Sequence, residues 1–258
     1  MAGKKADIRW NPNYDLAIEQ AKTAAKPLLV DFWASWCGPC RQMDLETWSD
    51  SRVIELSQRF VAISVDITRD HDTPSHFFVR GYPTIILATP WGEVLTRREG
   101  FLQAGELSAL MAEVPPDFSL AREPHEALAH NSHDVRALAN MGRFFVRANS
   151  LSFANQYYQQ ALKTKECKAD ATMRCDLTLA VGLNTVFLGD PNGGRKLLLR
   201  FLKDFPESRR DEALYGLVVA DVKQGKRDDA AKTLAEMKEK YPASTRTASA
   251  ERLLAQAP

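Results

Sequence analysis

The chain is short of several things, and each shortage removes a class of function. No stretch of 18 or more apolar residues occurs among its 258 residues, so no membrane-spanning helix is expected. A surplus of charge is also missing: 34 basic against 33 acidic residues leave a formal net charge of +1. That balance points to neither nucleic acid nor an anionic membrane as a partner. The charged start, Met1-Ala2-Gly3-Lys4-Lys5-Ala6-Asp7, is not followed by an apolar core, so it does not read as a signal peptide. The expected compartment is the cytoplasm as the sequence stands, or the periplasm if a leader has been removed. Cysteine is scarce at four residues, and the first 120 hold only Cys37 and Cys40. A zinc site would need a second pair of ligands at matching spacing, so zinc and two inert core thiols are the lesser readings of that pair.

What is present is apolar material, 45% of the residues, enough for buried cores. The length favours two domains of moderate size. The stretch that organises the chain is Trp36-Cys37-Gly38-Pro39-Cys40, set where the apolar strand Leu28-Leu29-Val30-Asp31-Phe32-Trp33-Ala34 runs into a helix. Two cysteines separated by two residues share one helical turn and can close and reopen a disulfide. Cys37 is expected at the helix N-terminus, where the macrodipole and free N–H groups favour a thiolate. Cys40, one turn in, is expected to be covered and to attack a mixed disulfide formed at Cys37. Trp36 shields the approach, and Pro39 fits the first turn, where a missing N–H costs little.

These residues resemble the thioredoxin family: Val-Asp-Phe-Trp-Ala, then Trp-Cys-Gly-Pro-Cys, with an acid, Asp31, six positions before the first cysteine. The resemblance implies a buried proton-relay acid at Asp31. A carboxylate inside an apolar strand is costly unless used or hydrogen-bonded, and burial would raise its pKa toward that of a base for the resolving thiol. The alternative is that Asp31 merely caps something or meets solvent at a strand end. The run Glu46–Val53 after the active-site helix looks more like the C-terminal domain of the disulfide-interchange transporter DsbD. The lysine that thioredoxins often carry on the next strand is absent, with Ala62 or its neighbours in that place.

In chain order, Asp7 to Trp10 reads as a first strand or arm and Tyr14 to Ala25 as a helix stopped by Lys26-Pro27. The active-site helix is expected to run through Met43, Leu45 and Trp48 before Ser49-Asp50 breaks it. A second amphipathic piece holds Val53 to Phe60, and Phe60 to Asp66 alternates like a strand. His71, Asp72 and His76 read as solvated loop and helix residues rather than metal ligands. Gly81-Tyr82-Pro83-Thr84 precedes the strand Ile85–Ala88. The family resemblance implies that Pro83 is cis and lies beside the cysteines, with the Tyr82 backbone exposed for pairing with an extended substrate. Pro90-Trp91-Gly92 turns into a strand ending at Glu99, and Gly100 resembles the family glycine that lets a substrate chain come close. A helix over about 104–113 closes this part.

A proline-rich junction begins at Val114, and from about His125 the pattern is helical without strand signals. Three loose copies of a tetratricopeptide-like pattern follow. The first holds Leu138, Met141, Gly142, Phe145, Ala154, Tyr158 and Ala161. The second holds Gly182, Gly194, Leu198, Phe201 and Pro206, and the third Leu214, Leu217, Ala230, Leu234 and Pro242. The spacing exceeds the family's repeat of about 34 residues, implying longer turns or linkers; a generic helical bundle is the alternative. Cys167 and Cys175 read as core or surface thiols, with a structural disulfide as the lesser reading, and His125, His130 and His133 as surface residues of the first helix.

The expected fold is thus an α/β thioredoxin fold, a mixed central sheet flanked by helices, over residues 1–114. A linker over 115–124 and an all-α tetratricopeptide-like domain over 125–258 follow. The expected activity is thiol–disulfide exchange, in the direction of reducing protein disulfides. Cys37, Cys40 and Asp31 are catalytic, and Trp36, Gly38, Pro39, Tyr82, Pro83 and Gly100 contact substrate. Neither metal nor organic cofactor is needed, because the cysteine pair carries the electrons. The expected partners are protein disulfides, a reductase or membrane electron donor, and a protein or peptide bound by the repeats. The competing class is a redox-linked chaperone or scaffold in which the repeats do the main work. Suppression of client aggregation that persists in a Cys37→Ser, Cys40→Ser double variant would favour it.

Overall fold

A computed structural model describes residues 7–256; the amino-terminal stretch before Asp7, and with it the signal-peptide question, lies outside the described residues. The chain divides into two compact units between Arg122 and Glu123.

In the first unit the described residues form a five-stranded mixed sheet in the order β1-β3-β2-β4-β5. The elements run β1 (Trp10–Asn11), α1 (Tyr14–Ala24), β2 (Leu28–Trp33), α2 (Gly38–Glu46), α3 (Ser51–Ser57), β3 (Val61–Asp66), α4 (Asp72–His76), β4 (Thr84–Ala88), β5 (Val94–Glu99) and α5 (Ala104–Glu113). The Asn13 side chain caps α1 by accepting the Leu16 N–H at 2.9 Å, and Ala25 ends it in the left-handed region before Pro27. β2 is the central strand, parallel to β3 and antiparallel to β4. Its burial on both faces explains its apolar run, interrupted by Asp31. Leu28, Val30 and Phe32 pack with Ala17, Ala21, Ile63, Ile86 and Phe77 in one core, so Asp31 and Trp33 take the opposite face.

Three details differ from the sequence reading. The first strand is confined to Trp10–Asn11, starting three residues later than expected, and Pro12, with no N–H to extend the ladder, ends it. The active-site helix stops at Glu46: the Met43 carbonyl accepts both the Thr47 and Trp48 N–H groups at 2.9 Å. The chain turns there, placing buried Trp48 edge-on to Trp10 at 5.1 Å while Leu45 faces solvent. The stretch after α5 also packs on the first unit. Phe118 is buried, its N–H donates to the Ala25 carbonyl at 2.8 Å, and the Arg122 guanidinium donates to the Lys22 carbonyl at 2.9 Å.

The second unit is helical: α6 (Arg122–His130), α7 (Val135–Arg147), α8 (Leu151–Lys163), α9 (Lys165–Ala169), α10 (Ala171–Phe187), α11 (Pro191–Asp204), α12 (Arg210–Lys223), α13 (Arg227–Lys240) and α14 (Thr245–Gln256). The pairs α7/α8, α10/α11 and α12/α13 carry the three repeat patterns, each helix packed on its partner. Glycines set the close approach: a Cβ on Gly142 would overlap the Tyr158 ring, and one on Gly182 would lie 2.9 Å from a Leu198 methyl. The long step between the first two copies comes from the inserted helix α9, whose Cys167 N–H is capped by Thr164 at 3.1 Å. Between α11 and α12, buried Asp221 accepts from Arg195 Nε at 2.7 Å. His133 lies beyond α6, in the loop before α7, and not on the helix as the sequence suggested.

Candidate active site

The site grows out of the end of β2. After Trp33 the chain bends through Ala34, Ser35 and Trp36, and Cys37 becomes the N-cap of α2, with Pro39 in its first turn. Cys37 and Cys40 are joined as a disulfide with Cα atoms 5.3 Å apart. The Cys37 sulfur accepts the Cys40 N–H at 3.2 Å. A helix N-terminus presents free N–H groups and the positive end of the macrodipole, so that contact favours negative charge on Cys37 once the bond opens. Both cysteines are 4% exposed; in the oxidised pair Cys37 is covered as deeply as Cys40, which the spacing did not indicate.

What covers them is apolar. Ala34, Trp33, Ile67 and Tyr82 pack around the pair. Trp36 is 64% exposed and meets Tyr82 edge-on at 6.0 Å. The Tyr82–Pro83 peptide bond is cis, and the Gly100 N–H donates to the Pro83 carbonyl at 2.8 Å. This bond carries Gly100, at φ 87, to the same rim. A Cβ built on Gly38 or on Gly100 would meet no atom within 4 Å, so both glycines leave open space. Trp36, Tyr82, Pro83 and Gly100 are therefore linked to the cysteine pair by packing or hydrogen bonding, and Gly38 and Pro39 belong to its helix.

Asp31 is 1% exposed in the middle of β2. Its register partners are Ser64 on β3 and Ile85 on β4. The place beside the acid thus falls to Ser64, while Ala62 pairs with Leu29 two positions away. The sequence reading missed Ser64, Ile67 and Arg97. The parallel register of β3 on β2 would have identified the first two, since Ile67 follows β3 directly and its N–H donates to the Trp33 carbonyl at 3.1 Å. Arg97 donates to the carbonyls of Phe77 and Phe78 and holds Phe78 at φ 51 with its ring exposed.

The remaining candidates stand apart. Asp70 caps α4 through the N–H groups of Asp72 and Thr73, and His76 packs against Phe77 at 4.9 Å. Cys167 and Cys175 are buried free thiols. Burial, then Asp170, pushes Cys167 above the usual thiol range, and burial, then Asp176, does the same for Cys175.

Residues 9–113 match the thioredoxin family model, and residues 212–244 match a tetratricopeptide repeat model. The thioredoxin of Acidithiobacillus ferridurans is 34% identical over 90 residues, covering 34% of this chain and 79% of that protein. The thiol:disulfide interchange protein DsbD of Campylobacter jejuni is 33% identical over 99 residues, which are 37% of this chain. The chain spans only 17% of the length of that relative. A thioredoxin from Thermus thermophilus, whose structure was solved in solution, aligns over 41% of this chain and 85% of its own. Its identity is 26% and its TM-score 0.38.

Proposed function

Because the chain belongs to the thioredoxin family, we propose that it is a thiol–disulfide oxidoreductase that reduces protein disulfides. The observation that carries this reading is Cys37 at the N-cap of α2, its sulfur held by the Cys40 N–H at 3.2 Å. In the reduced protein the Cys37 thiolate attacks one sulfur of a substrate disulfide, and the other substrate sulfur leaves as a thiolate that solvent protonates. Asp31 accepts the Cys40 proton, and the Cys40 thiolate attacks the Cys37 sulfur. The second substrate sulfur is released as a thiolate and the Cys37–Cys40 bond forms. Two electrons pass to the substrate, whose two sulfurs take their protons from solvent, and the cysteine pair is the store of the electrons, so the step uses no other cofactor. A dithiol reductant, from a reductase or a membrane electron donor, returns the pair to its starting state.

The rim supports a protein as substrate. Trp36 and half-buried Tyr82 offer an apolar surface beside the cysteines, with Gly38 and Pro39 on the helix side, while Pro83 itself is buried. Gly100 leaves open space for an extended chain to approach. The helical repeats would hold a protein or peptide partner and raise its concentration near Cys37.

The test is insulin reduction by the pre-reduced chain. Cys37→Ser abolishes it, and Cys40→Ser accumulates a mixed disulfide between Cys37 and one insulin chain, read by mass. Equilibration against glutathione and dithiothreitol is expected to give a potential near that of thioredoxin, about −270 mV. A Cys37→Ser protein that still reduces insulin would overturn the chemistry, and a potential some 100 mV higher, at about −170 mV, would overturn the direction.

A further inference from the structure

We propose that Ser64 is a proton-relay residue acting through Asp31, passing the proton taken from Cys40 out to a solvent cleft beside β1. The inference rests on the reading above that Asp31 is the base for Cys40, and asks what that reading leaves open. A carboxyl group that gains a proton in each turnover must lose it again, and Asp31 is 1% exposed.

Its surroundings narrow the route. On the face that Asp31 shares, Leu29 and Trp33 flank it along β2, and Ile85 stands in register on β4. Those side chains cannot carry a proton through their packing. On the other neighbouring strand, β3, Ser64 stands in register with Asp31. A hydroxyl donates and accepts at once, so it can take a proton from one partner and give another away without ionising.

The sequence opens the outer side of Ser64 to solvent. β1 pairs Trp10 with Ala62 and Asn11 with Ile63, then ends, because Pro12 cannot donate to the ladder. From Ser64 onward β1 no longer covers the edge of β3. A cleft of about 350 Å³ lies there, lined by Trp10, Pro12, Trp33, Ser64, Asp66 and Arg69 among others. It is roomy enough for several waters, and Asn11, Ser64, Asp66, Arg69 and Asp70 give them polar partners. Asp31 does not line it, whereas half-buried Ser64 does. Ser64 therefore meets solvent on one side and sits in register with the acid on the other.

The charged groups lining the cleft are Asp66, with its ion-pair partner Arg69 at 3.6 Å, and Asp70. The cysteine pair lies at the end of β2, packed on Trp33. β4 contributes Ile85 and Leu87 to the shared face, neither of which titrates, and Arg98 stands one strand further out, opposite Ile85 on β5.

The test compares Ser64→Val with Ser64→Thr in the full chain. The two side chains have the same shape and differ in the hydroxyl, so a packing effect moves both. The rate read is steady-state insulin reduction with dithiothreitol regenerating the dithiol, from pH 6 to 10, so that Asp31 must shed its proton in every cycle. Ser64→Val is expected to be about ten-fold slower than wild type at pH 7, below the roughly hundred-fold of a direct acid–base contribution because Ser64 acts through Asp31. The gap should close above about pH 9, where a thiol ionises without help, and Ser64→Thr should keep the wild-type rate and profile. Equal rates for Val and Thr across this range would overturn the relay. Asp31→Asn separates the two ideas: slow Asp31→Asn with fast Ser64→Val sinks the relay alone, whereas Asp31→Asn as fast as wild type sinks the role of Asp31. If Ser64→Val does not fold, a proton inventory on the unaltered protein decides. A curved dependence on deuterium content supports two protons in transit, and a straight line refutes the relay.

Discussion

Replacing Gly100 by alanine separates two jobs that one glycine performs. At φ 87 any L side chain enters the left-handed region, at a cost of about 1–2 kcal/mol in stability. The added Cβ meets no protein atom within 4 Å, so nothing inside the molecule resists it sterically. An incoming substrate chain would. A methyl group between two closely paired backbones forfeits about one main-chain hydrogen bond, roughly 1–1.5 kcal/mol, or about a five- to ten-fold loss in rate. The control is Gly189→Ala, at φ 92 in the other unit, where a Cβ also meets nothing within 4 Å. All five tryptophans lie between Trp10 and Trp91, so their fluorescence follows unfolding of the first unit alone. Far-UV circular dichroism weights the helical unit, and the two transitions are fitted separately. Each alanine is expected to destabilise its own unit by about 1 kcal/mol. Gly100→Ala alone slows insulin reduction five- to ten-fold, while its reduction of a small disulfide such as hydroxyethyl disulfide stays within two-fold of wild type. Equal slowing on both substrates, or on neither, would refute the reasoning that Gly100 makes room for a polypeptide.

Gly142→Ala is expected to destabilise the helical unit by about 1–3 kcal/mol, despite alanine's better helix propensity, because the new methyl overlaps the Tyr158 ring. Gly105→Ala, with open space at its Cβ, should be neutral or stabilising by up to about 1 kcal/mol in urea titrations. Arg195→Ala leaves the Asp221 carboxylate buried without its guanidinium. It should cost roughly 3 kcal/mol, the low end for a broken buried pair because Arg195 is partly in water; a change below about 1 kcal/mol would show that water replaces the arginine. Hydrogen bonds from the Arg52 side chain and backbone hold the Asp50 carboxyl down at about 2. A folded-state pKa below the unfolded one stabilises above the unfolded value, and that stability is lost as the pH falls through the folded one. Asp50→Ala should therefore lower the melting temperature at neutral pH, by a margin that shrinks between about pH 4 and pH 2.

Much of this was written in local pattern. An apolar strand delivering Cys37 to a helix start is legible because strand period, N-cap geometry and proline placement all act within a dozen residues. The same holds for the glycine-bearing pairs Gly142/Tyr158 and Gly182/Leu198, which recur at one offset in successive repeats. What escaped depended on contacts remote in sequence. Trp48 read as a continuing helix until its packing on Trp10, 38 positions away, set the end of α2. Ser64 escaped because the partner of Asp31 is chosen by strand register, which no spacing within β3 reveals. α9 escaped because five residues are too few to show a period.

The fate of the other two cysteines bears on stoichiometry. Four cysteine sulfurs in one chain could in principle shuffle among several cross-links and give a mixed population. Cys167 and Cys175 are buried and disfavour the thiolate, so they make poor entrants to such exchange. The molecule therefore has a fixed capacity of one electron pair per chain, and alkylation of the folded, oxidised protein should leave it unlabelled. Each turnover is then countable.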